Sequence, residues 1–317
     1  MGEAKDKPRD EDWARRTLIE LATASLREQR RARRWGIFFK LLILVYLGVL
    51  LWYGQGGQWP LQRDVAHREH VALVGLKGLI ADGGDADPDV IVELLEQAFG
   101  DDKARGVILE INSPGGTPAQ AARIHRAIQR LRQQHPDRKL YAVVEDLCAS
   151  GAYWVAVAAD EIWADPTSIV GSIGVRLDAF GVQKLLDKLG IENRTLAAGE
   201  NKLLLDPFSP QTPAQRAHLQ HLLDQTHQQF IEVVKAGRGD RLKPTPEMFS
   251  GLIWTGRDAL RLGLIDGLGD RRQVAKEKLG VEDILEYEPP KTLLDQLTEG
   301  VSTAVARLLL RLGLTAA

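Results

Sequence analysis

The first apolar pattern along the chain is a long run close to the N-terminus. It extends from Trp35 to Tyr53 and contains a single charged residue, Lys40. Its ~19 residues match the roughly 20 that cross a bilayer as a helix, and aromatic side chains stand at both ends, as at membrane interfaces. A buried core helix is the alternative, but the run has no polar face. We therefore predict a transmembrane helix over residues 35–53.

The charges that flank this run predict its orientation. Residues 54–64 are nearly neutral, whereas the N-terminal flank carries Arg27, Arg30, Arg31, Arg33 and Arg34. Because positive flanks stay inside, residues 1–34 should be cytoplasmic, with 54–65 as a Gly-rich tether. A cleaved signal peptide fits less well, since no A-x-A site follows the run. The pattern predicts a single-pass protein of the inner or cell membrane whose larger part is periplasmic or extracytoplasmic.

From His70 onward, strand-like apolar runs alternate with segments of helical spacing. The predicted strands are Val71–Ile80, Arg105–Ile111, Leu140–Glu145 and Glu161–Ala164. The predicted helices are Asp89–Phe99, Thr117–Gln134, Ser150–Ala159, Gly181–Leu189, Ala214–Val234, Pro246–Ser250, Arg257–Gly263 and Arg271–Leu279. Such alternation is typical of βαβ units, so we predict one α/β domain over residues 66–288 with a mostly parallel sheet.

The last segment, residues 289–317, repeats apolar residues at helical spacing. Leu294, Leu297, Val301 and Val305 follow one another at intervals of three or four positions, which is typical of an amphipathic helix. We expect this helix to pack on its own or a neighbouring protomer, with the membrane surface as the alternative.

Composition excludes several classes of function. The net charge of −2 argues against a nucleic-acid-binding protein. The single cysteine, Cys148, excludes an intrachain disulfide and lies in an apolar run, which favours a buried core thiol over a nucleophile. There is no HExxH motif and no GxGxxG after a strand, so we predict no metal and no cofactor. Histidines such as His125 and His227 fall on predicted helices without a context that indicates a base.

Two predicted strand-to-helix turns carry candidate chemistry. The first is Asn112–Gly116, where Gly115 and Gly116 allow positive φ and outward N–H groups beside a helix N-terminus, as an oxyanion site requires. The second is Cys148–Ala152, which holds Ser150 at a helix start next to the N–H of Gly151, in the manner of a nucleophile elbow without its G-x-S-x-G pattern. Taken singly, an ordinary turn and an N-cap serine are the plainer interpretations.

Several motifs in a fixed order resemble one known family. The motifs are NSPGG (112–116), ASGAYW (149–154), GSIGV (171–175), GENK (199–202) and TGRDALRLGLIDGLG (255–269). Together they resemble the signal peptide peptidase A family of serine proteases, in its short single-domain form. That family is related in fold to Clp protease and the crotonases. The resemblance therefore implies a Clp protease/crotonase-like domain of stacked parallel βαβ units.

The resemblance also implies roles for individual residues. Ser150 corresponds to the nucleophile, Lys202 to the general base of a Ser–Lys dyad, and Ser172 to the serine that orients the lysine. Gly115 or Gly116, together with Gly151, corresponds to the oxyanion-hole donors.

The sequence offers more than one lysine that could act as the base. A lysine acts as a base only when it is neutral, and Leu203–Leu205 offer an apolar wall beside Lys202. Lys184 and Lys188 remain alternatives for the base.

The resemblance implies a membrane-anchored serine endopeptidase that degrades released signal peptides or other short membrane-associated peptides. It also implies a homo-oligomer resembling an octameric ring, with serine and lysine of one site contributed by neighbouring protomers. Two alternatives stay open. A crotonase-like enzyme would use the same N–H pair on an acyl thioester, and an inactive protease-like protein would serve as a membrane scaffold or adaptor.

Overall fold

The computed structural model of the chain describes residues 31, 33–46 and 68–289. These residues belong to two compact units, of which one spans Met1–Trp59 with Lys291–Ala317 and the other spans Pro60–Pro290. Predicted features that lie wholly or partly outside the described residues are the cytoplasmic segment, residues 47–53 of the membrane span, the tether and the C-terminal helix.

In the first unit, residues 33–46 are helical and exposed. The ring of Trp35 contacts those of Phe38 and Phe39 at centroid distances of 5.7 and 5.9 Å. None of the described helices combines the length and the hydropathy that a bilayer crossing requires.

The second unit is built on an eight-stranded sheet. The strands are β1 (His70–Ile80), β2 (Ala104–Gly116), β3 (Leu140–Ala149), β4 (Glu161–Ala164), β5 (Ile169–Gly171), β6 (Ile253–Thr255), β7 (Gly267–Leu268) and β8 (Ile284–Tyr287). Their order is β6-β5-β3-β2-β1-β8, and β4 pairs with both β3 and β7. All pairs are parallel except β5 with β6.

Helices connect and cover these strands. They are α1 (Pro88–Gly100), α2 (Pro118–Gln134), α3 (Gly151–Ala156), α4 (Gln183–Leu189), α5 (Pro213–Arg238), α6 (Gly256–Leu262) and α7 (Arg271–Val274). A 3₁₀ turn follows at Gly239–Arg241, and a π-helical turn at Ala275–Leu279. The predicted α/β class with a mostly parallel sheet is confirmed.

Local sequence explains where several helices begin. Pro88 and Pro213 occupy first-turn positions, where the missing N–H costs nothing. The Asp87 carboxylate accepts the N–H of Asp89, and Thr212 forms a capping box with Gln215.

Both faces of the sheet are covered. On one face, α1, α2 and α3 bury a large cluster that includes Leu95, Phe99, Ile124 and Tyr153. On the other face, Val71, Leu73, Ile108, Tyr141 and Val143 pack against Val274 and Ala275. Burial on two faces explains why β1, β2 and β3 read as nearly continuous apolar runs.

The structure differs from the sequence-based prediction at the strand ends. β2 continues through Gly116, because Gly115 and Gly116 pair with Leu79 and Ile80 of β1 after a register shift. The predicted turn at Asn112–Gly116 is thus paired strand.

The predicted helix at Pro246–Ser250 is wrong, since the structure has only hydrogen-bonded turns there.

A buried ion pair joins the end of α5 to the segment before β7. Arg238, 1% exposed, donates two hydrogen bonds to the Asp266 carboxylate, at 2.7 and 2.9 Å. The same carboxylate accepts the N–H of Ile162 at 2.7 Å. Burial raises the pKa of Asp266, but hydrogen bonding and charge from Arg238 outweigh it and hold that pKa below its ordinary range.

We predict that Asp266→Asn lowers the free energy of unfolding by about 3 kcal/mol at neutral pH, because it leaves the buried Arg238 without a counter-charge. Urea unfolding of the full chain followed by tryptophan fluorescence measures this. Since the pKa of Asp266 is depressed, the stabilisation is present above about pH 4 and is lost as pH falls through the lowered pKa.

The control is Glu192→Gln, which removes an exposed pair with Arg194 at 2.8 Å. It should change stability by less than about 0.5 kcal/mol. Equal effects of the two substitutions would contradict a structural role for the buried pair.

Candidate active site

Ser150 occupies the junction between β3 and α3 in an unusual backbone conformation. Its φ is 52° and its ψ is −123°, and its N–H donates to the carbonyl of Gly171 at 2.8 Å. A positive φ costs a non-glycine residue of order 1–3 kcal/mol and is concentrated at functional sites. Ser150 is also half-buried, so the junction presents a constrained serine at the protein surface.

The end of β2 packs directly against this junction. A Cβ on Gly115, whose φ is 96°, would lie 2.6 Å from the Gly151 nitrogen and 3.0 Å from the Ser150 Cβ. A Cβ on Gly151 would lie 3.1 Å from the Gly116 nitrogen. The two glycine segments that the sequence predicts to act together are therefore in contact, and Gly115 has no room for a side chain.

The backbone N–H groups predicted to form the oxyanion hole differ in their hydrogen bonds. The N–H of Gly115 donates to Ser113 Oγ at 3.1 Å, and Ser113 Oγ donates to the Gly78 carbonyl at 2.6 Å. The N–H of Gly151 belongs to the first turn of α3, where no intrahelical acceptor is available. The N–H of Gly115 is thus engaged within its own strand, which leaves the N–H of Gly116 as the candidate donor beside that of Gly151.

Ser172 stands beside Ser150 at the end of the neighbouring strand. Ala149 of β3 pairs with Gly171 of β5, and the next residue in each strand is the serine. Ser172 has the same φ of 52°, and its N–H donates to the Leu252 carbonyl at 2.8 Å. The parallel register thus brings two constrained serines together.

The hydrogen bond that Lys202 makes is local and does not involve these serines. It is exposed in a turn, where its backbone N–H donates to the Gly199 carbonyl at 3.0 Å. Within residues 68–289, no hydrogen bond joins Lys202 Nζ to Ser150 or Ser172. The single protomer therefore brings Ser150, Ser172, Gly116 and Gly151 together, but shows no contact of the predicted base with them.

The segment that carries Lys202, residues 176–212, contains no buried residue, and we call it the arm. No residue in the described range 174–229 is buried. The arm folds mainly on itself, for example through the N–H of Val182, which donates to the Pro207 carbonyl at 2.8 Å. Its exposed large apolar side chains are Leu177, Phe180, Leu185, Leu189, Ile191, Leu196, Leu205 and Phe208.

Two contacts near Ser172 have no counterpart in the sequence prediction. His227 Nε2 on α5 lies 3.1 Å from the Ile173 carbonyl, so this histidine holds the segment after β5. Trp254 of β6 lies against Gly171, and its Nε1 is buried without a hydrogen-bond partner in the described part of the chain. No local pattern marks either residue, because the contacts join distant segments.

Cys148 and a cluster of three aspartates near α1 have structural roles in the fold. Cys148 is fully buried, and burial raises the pKa of its thiol, which confirms the core interpretation. The carboxylates of Asp82, Asp87 and Asp89 lie within 4.8 Å of one another. Asp87 already accepts backbone N–H bonds from Gly83 and Asp89, so this cluster serves the start of α1.

The amino-acid sequence of the chain is similar to those of known proteins. Residues 132–282 match the model of peptidase family S49. A Brucella abortus protein named Na(+)/H(+) antiporter NhaA is 43% identical over 246 residues, which are 76% of this chain and 33% of that relative. The chain thus spans about a third of the length of this relative.

Two further relatives carry protease names. A putative protease of Synechocystis is 31% identical over 77% of this chain and 87% of the relative. A putative signal peptide peptidase SppA of Enterococcus faecium is 27% identical over 72% of this chain and 69% of its own length. Since the Synechocystis relative is matched along nearly its whole length, the chain belongs to peptidase family S49, as its motifs predict.

Proposed function

We propose that the chain is a serine endopeptidase in which Ser150 is the nucleophile and Lys202 the general base. The observation that carries this proposal is the strained backbone of Ser150, with Gly116 and Gly151 packed beside it. A core N-cap serine needs no such strain. A nucleophile needs it, because the conformation fixes the hydroxyl relative to the neighbouring N–H groups.

The proposed reaction follows from these positions. Lys202, in its neutral form, takes the proton of Ser150 Oγ as that oxygen attacks the peptide carbonyl. The N–H groups of Gly116 and Gly151 stabilise the oxyanion, and the proton then passes to the leaving amine. Water hydrolyses the acyl-enzyme by the same route. The hydroxyl of Ser172 would hold the lysine by a hydrogen bond.

A neighbouring protomer is the proposed source of the lysine. Phe180 and Leu196 of the arm are 82% and 96% exposed, which is costly for an isolated protomer in water. A second copy that covers the arm would bury these side chains and desolvate Lys202, favouring its neutral form. Repetition of this head-to-tail contact would close a ring, resembling the predicted octamer.

The proposed substrates are short apolar peptides, among them released signal peptides. The Enterococcus faecium relative is named for that substrate class. A ring that encloses its sites would admit loose peptides and exclude folded proteins. The Clp protease/crotonase-like fold type remains part of this proposal.

The dyad is tested by peptide hydrolysis with the purified full chain. Ser150→Ala should reduce hydrolysis of short apolar peptides by more than about a thousandfold. Lys202→Arg should be equally inactive, because a guanidinium stays protonated near neutral pH. Lys184→Arg and Lys188→Arg are matched controls on α4 and should retain activity. Substantial activity of Lys202→Arg would eliminate this residue as the base.

We further propose that residues 35–53 anchor the protein in the membrane with the N-terminus in the cytoplasm. The apolar run and the arginines before Trp35 support this orientation. A fluorescent reporter that matures only in the cytoplasm should be dark when fused after Ala317, and a periplasmic enzyme reporter should be active there. The opposite pattern would overturn the localisation and with it the proposed substrates.

A further inference from the structure

A cleft of about 470 Å³ opens between α2, the end of α3 and the C-terminal half of α5. We call it the helix cleft. Its volume lies in the range of small-molecule sites. It lies at the C-terminal end of α3, whereas Ser150 caps the N-terminal end of the same helix, so it is separate from the candidate active site.

Positive charge dominates the polar wall of the helix cleft. Arg126, Arg132 and Arg241 line it, against the single carboxylate of Asp160. Arg132 pairs with Asp160 at 2.6 Å, and Arg241 lies 3.1 Å from Asp266. Arg126 is exposed and makes no ion pair or hydrogen bond with residues of the described segments. One guanidinium therefore remains available to an anion.

His125 adds a second polar group to this wall. Its side chain is buried, and Nδ1 lies 2.9 Å from the Trp154 carbonyl, which can only accept, so Nδ1 carries the hydrogen. Nε2 makes no hydrogen bond within the described part of the chain. When His125 is protonated, Nε2 becomes a donor to whatever occupies the cleft.

The remaining wall of the helix cleft is apolar. Trp154 stacks on Phe230 with ring centroids 4.9 Å apart. Val157 and Val233 continue this surface from α3 to α5. Gly237, which also lines the cleft, packs on the Val157 carbonyl so closely that a Cβ there would overlap it.

We propose that the helix cleft binds a small amphiphilic anion, namely a carboxylate on a short apolar chain. Arg126 and His125 receive the carboxylate, and the chain packs along Trp154, Val157 and Val233. A fatty acid has this chemistry, and so does the C-terminal end of an apolar peptide. The argument rests on the cleft itself and does not require the proposed peptidase activity.

Titration calorimetry with the full chain tests the site, using octanoate and acetyl-leucyl-leucine as probes and octylamine as the charge control. At least one carboxylate should bind saturably, and octylamine should not. Arg126→Gln should weaken binding about tenfold, because it removes a charge-assisted hydrogen bond. Ala236→Trp should abolish binding by filling the mouth of the cleft, where Ala236 is exposed.

Arg130→Gln is the matched control, since Arg130 lies on the same helix and pairs with Glu96 at 2.6 Å. It should leave affinity unchanged. Binding of octanoate alone identifies a fatty acid as the ligand type, and binding of the dipeptide alone identifies a peptide terminus. Absence of binding, or binding that neither Arg126→Gln nor Ala236→Trp weakens, would overturn the proposal.

The pH dependence of binding provides a second readout. Burial, together with the charges of Arg126 and Arg132, lowers the pKa of His125, and Arg241 and Asp160 are the other charged groups lining the cleft. A bound anion favours the protonated imidazole and the pKa of His125 is lowered, so affinity for octanoate should rise as pH falls below about 6.5. His125→Gln should remove this rise, and a flat wild-type profile would contradict the assignment of His125 to the site.

Discussion

The hydrogen bond from the Ser150 N–H to the Gly171 carbonyl is the constraint on which the candidate site depends. It continues the β3–β5 pairing by one residue, at the point where the chain must leave the sheet and begin α3. The chain meets both demands with Ser150 at positive φ. Gly115 must then be a glycine, because a side chain would collide with Gly151. Ser172 has the same positive φ directly after β5, and the pairing of Ala149 with Gly171 places the two serines next to each other.

The core and the arm differ in what stabilises them. The sheet and α1 to α3 bury apolar surface on both faces, and the Arg238–Asp266 pair holds the end of α5 against them. The arm buries no residue and carries eight exposed large apolar side chains along with Lys202. A structure that is well packed around its proposed nucleophile, and unpacked around its proposed base, favours an assembly in which a second copy completes the site.

The sequence predicted the parts of this structure that local pattern determines. The long strands and amphipathic helices followed from apolar periodicity, and the ASG motif indicated the serine at a strand–helix junction. The extension of β2 through Gly116 could not be predicted, because Pro and Gly normally end a strand and only pairing with β1 retains them. The three-residue strands β5 and β6 are too short to show a recognisable run or alternation of apolar residues. The contact of His227 with Ile173 joins residues 54 positions apart, and local sequence carries no signal of it.

The central claim, that a neighbouring protomer supplies the lysine, is tested most directly by mixing two inactive variants. Ser150→Ala and Lys202→Ala chains are co-expressed with different tags, and mixed oligomers are isolated through both tags. If the dyad is shared, some sites combine the intact serine of one chain with the intact lysine of its neighbour. Random mixing should then restore peptide hydrolysis at about a quarter of the sites. Activity no higher than that of either variant alone, in verified mixed oligomers, would contradict the account and place both residues of the dyad in one protomer.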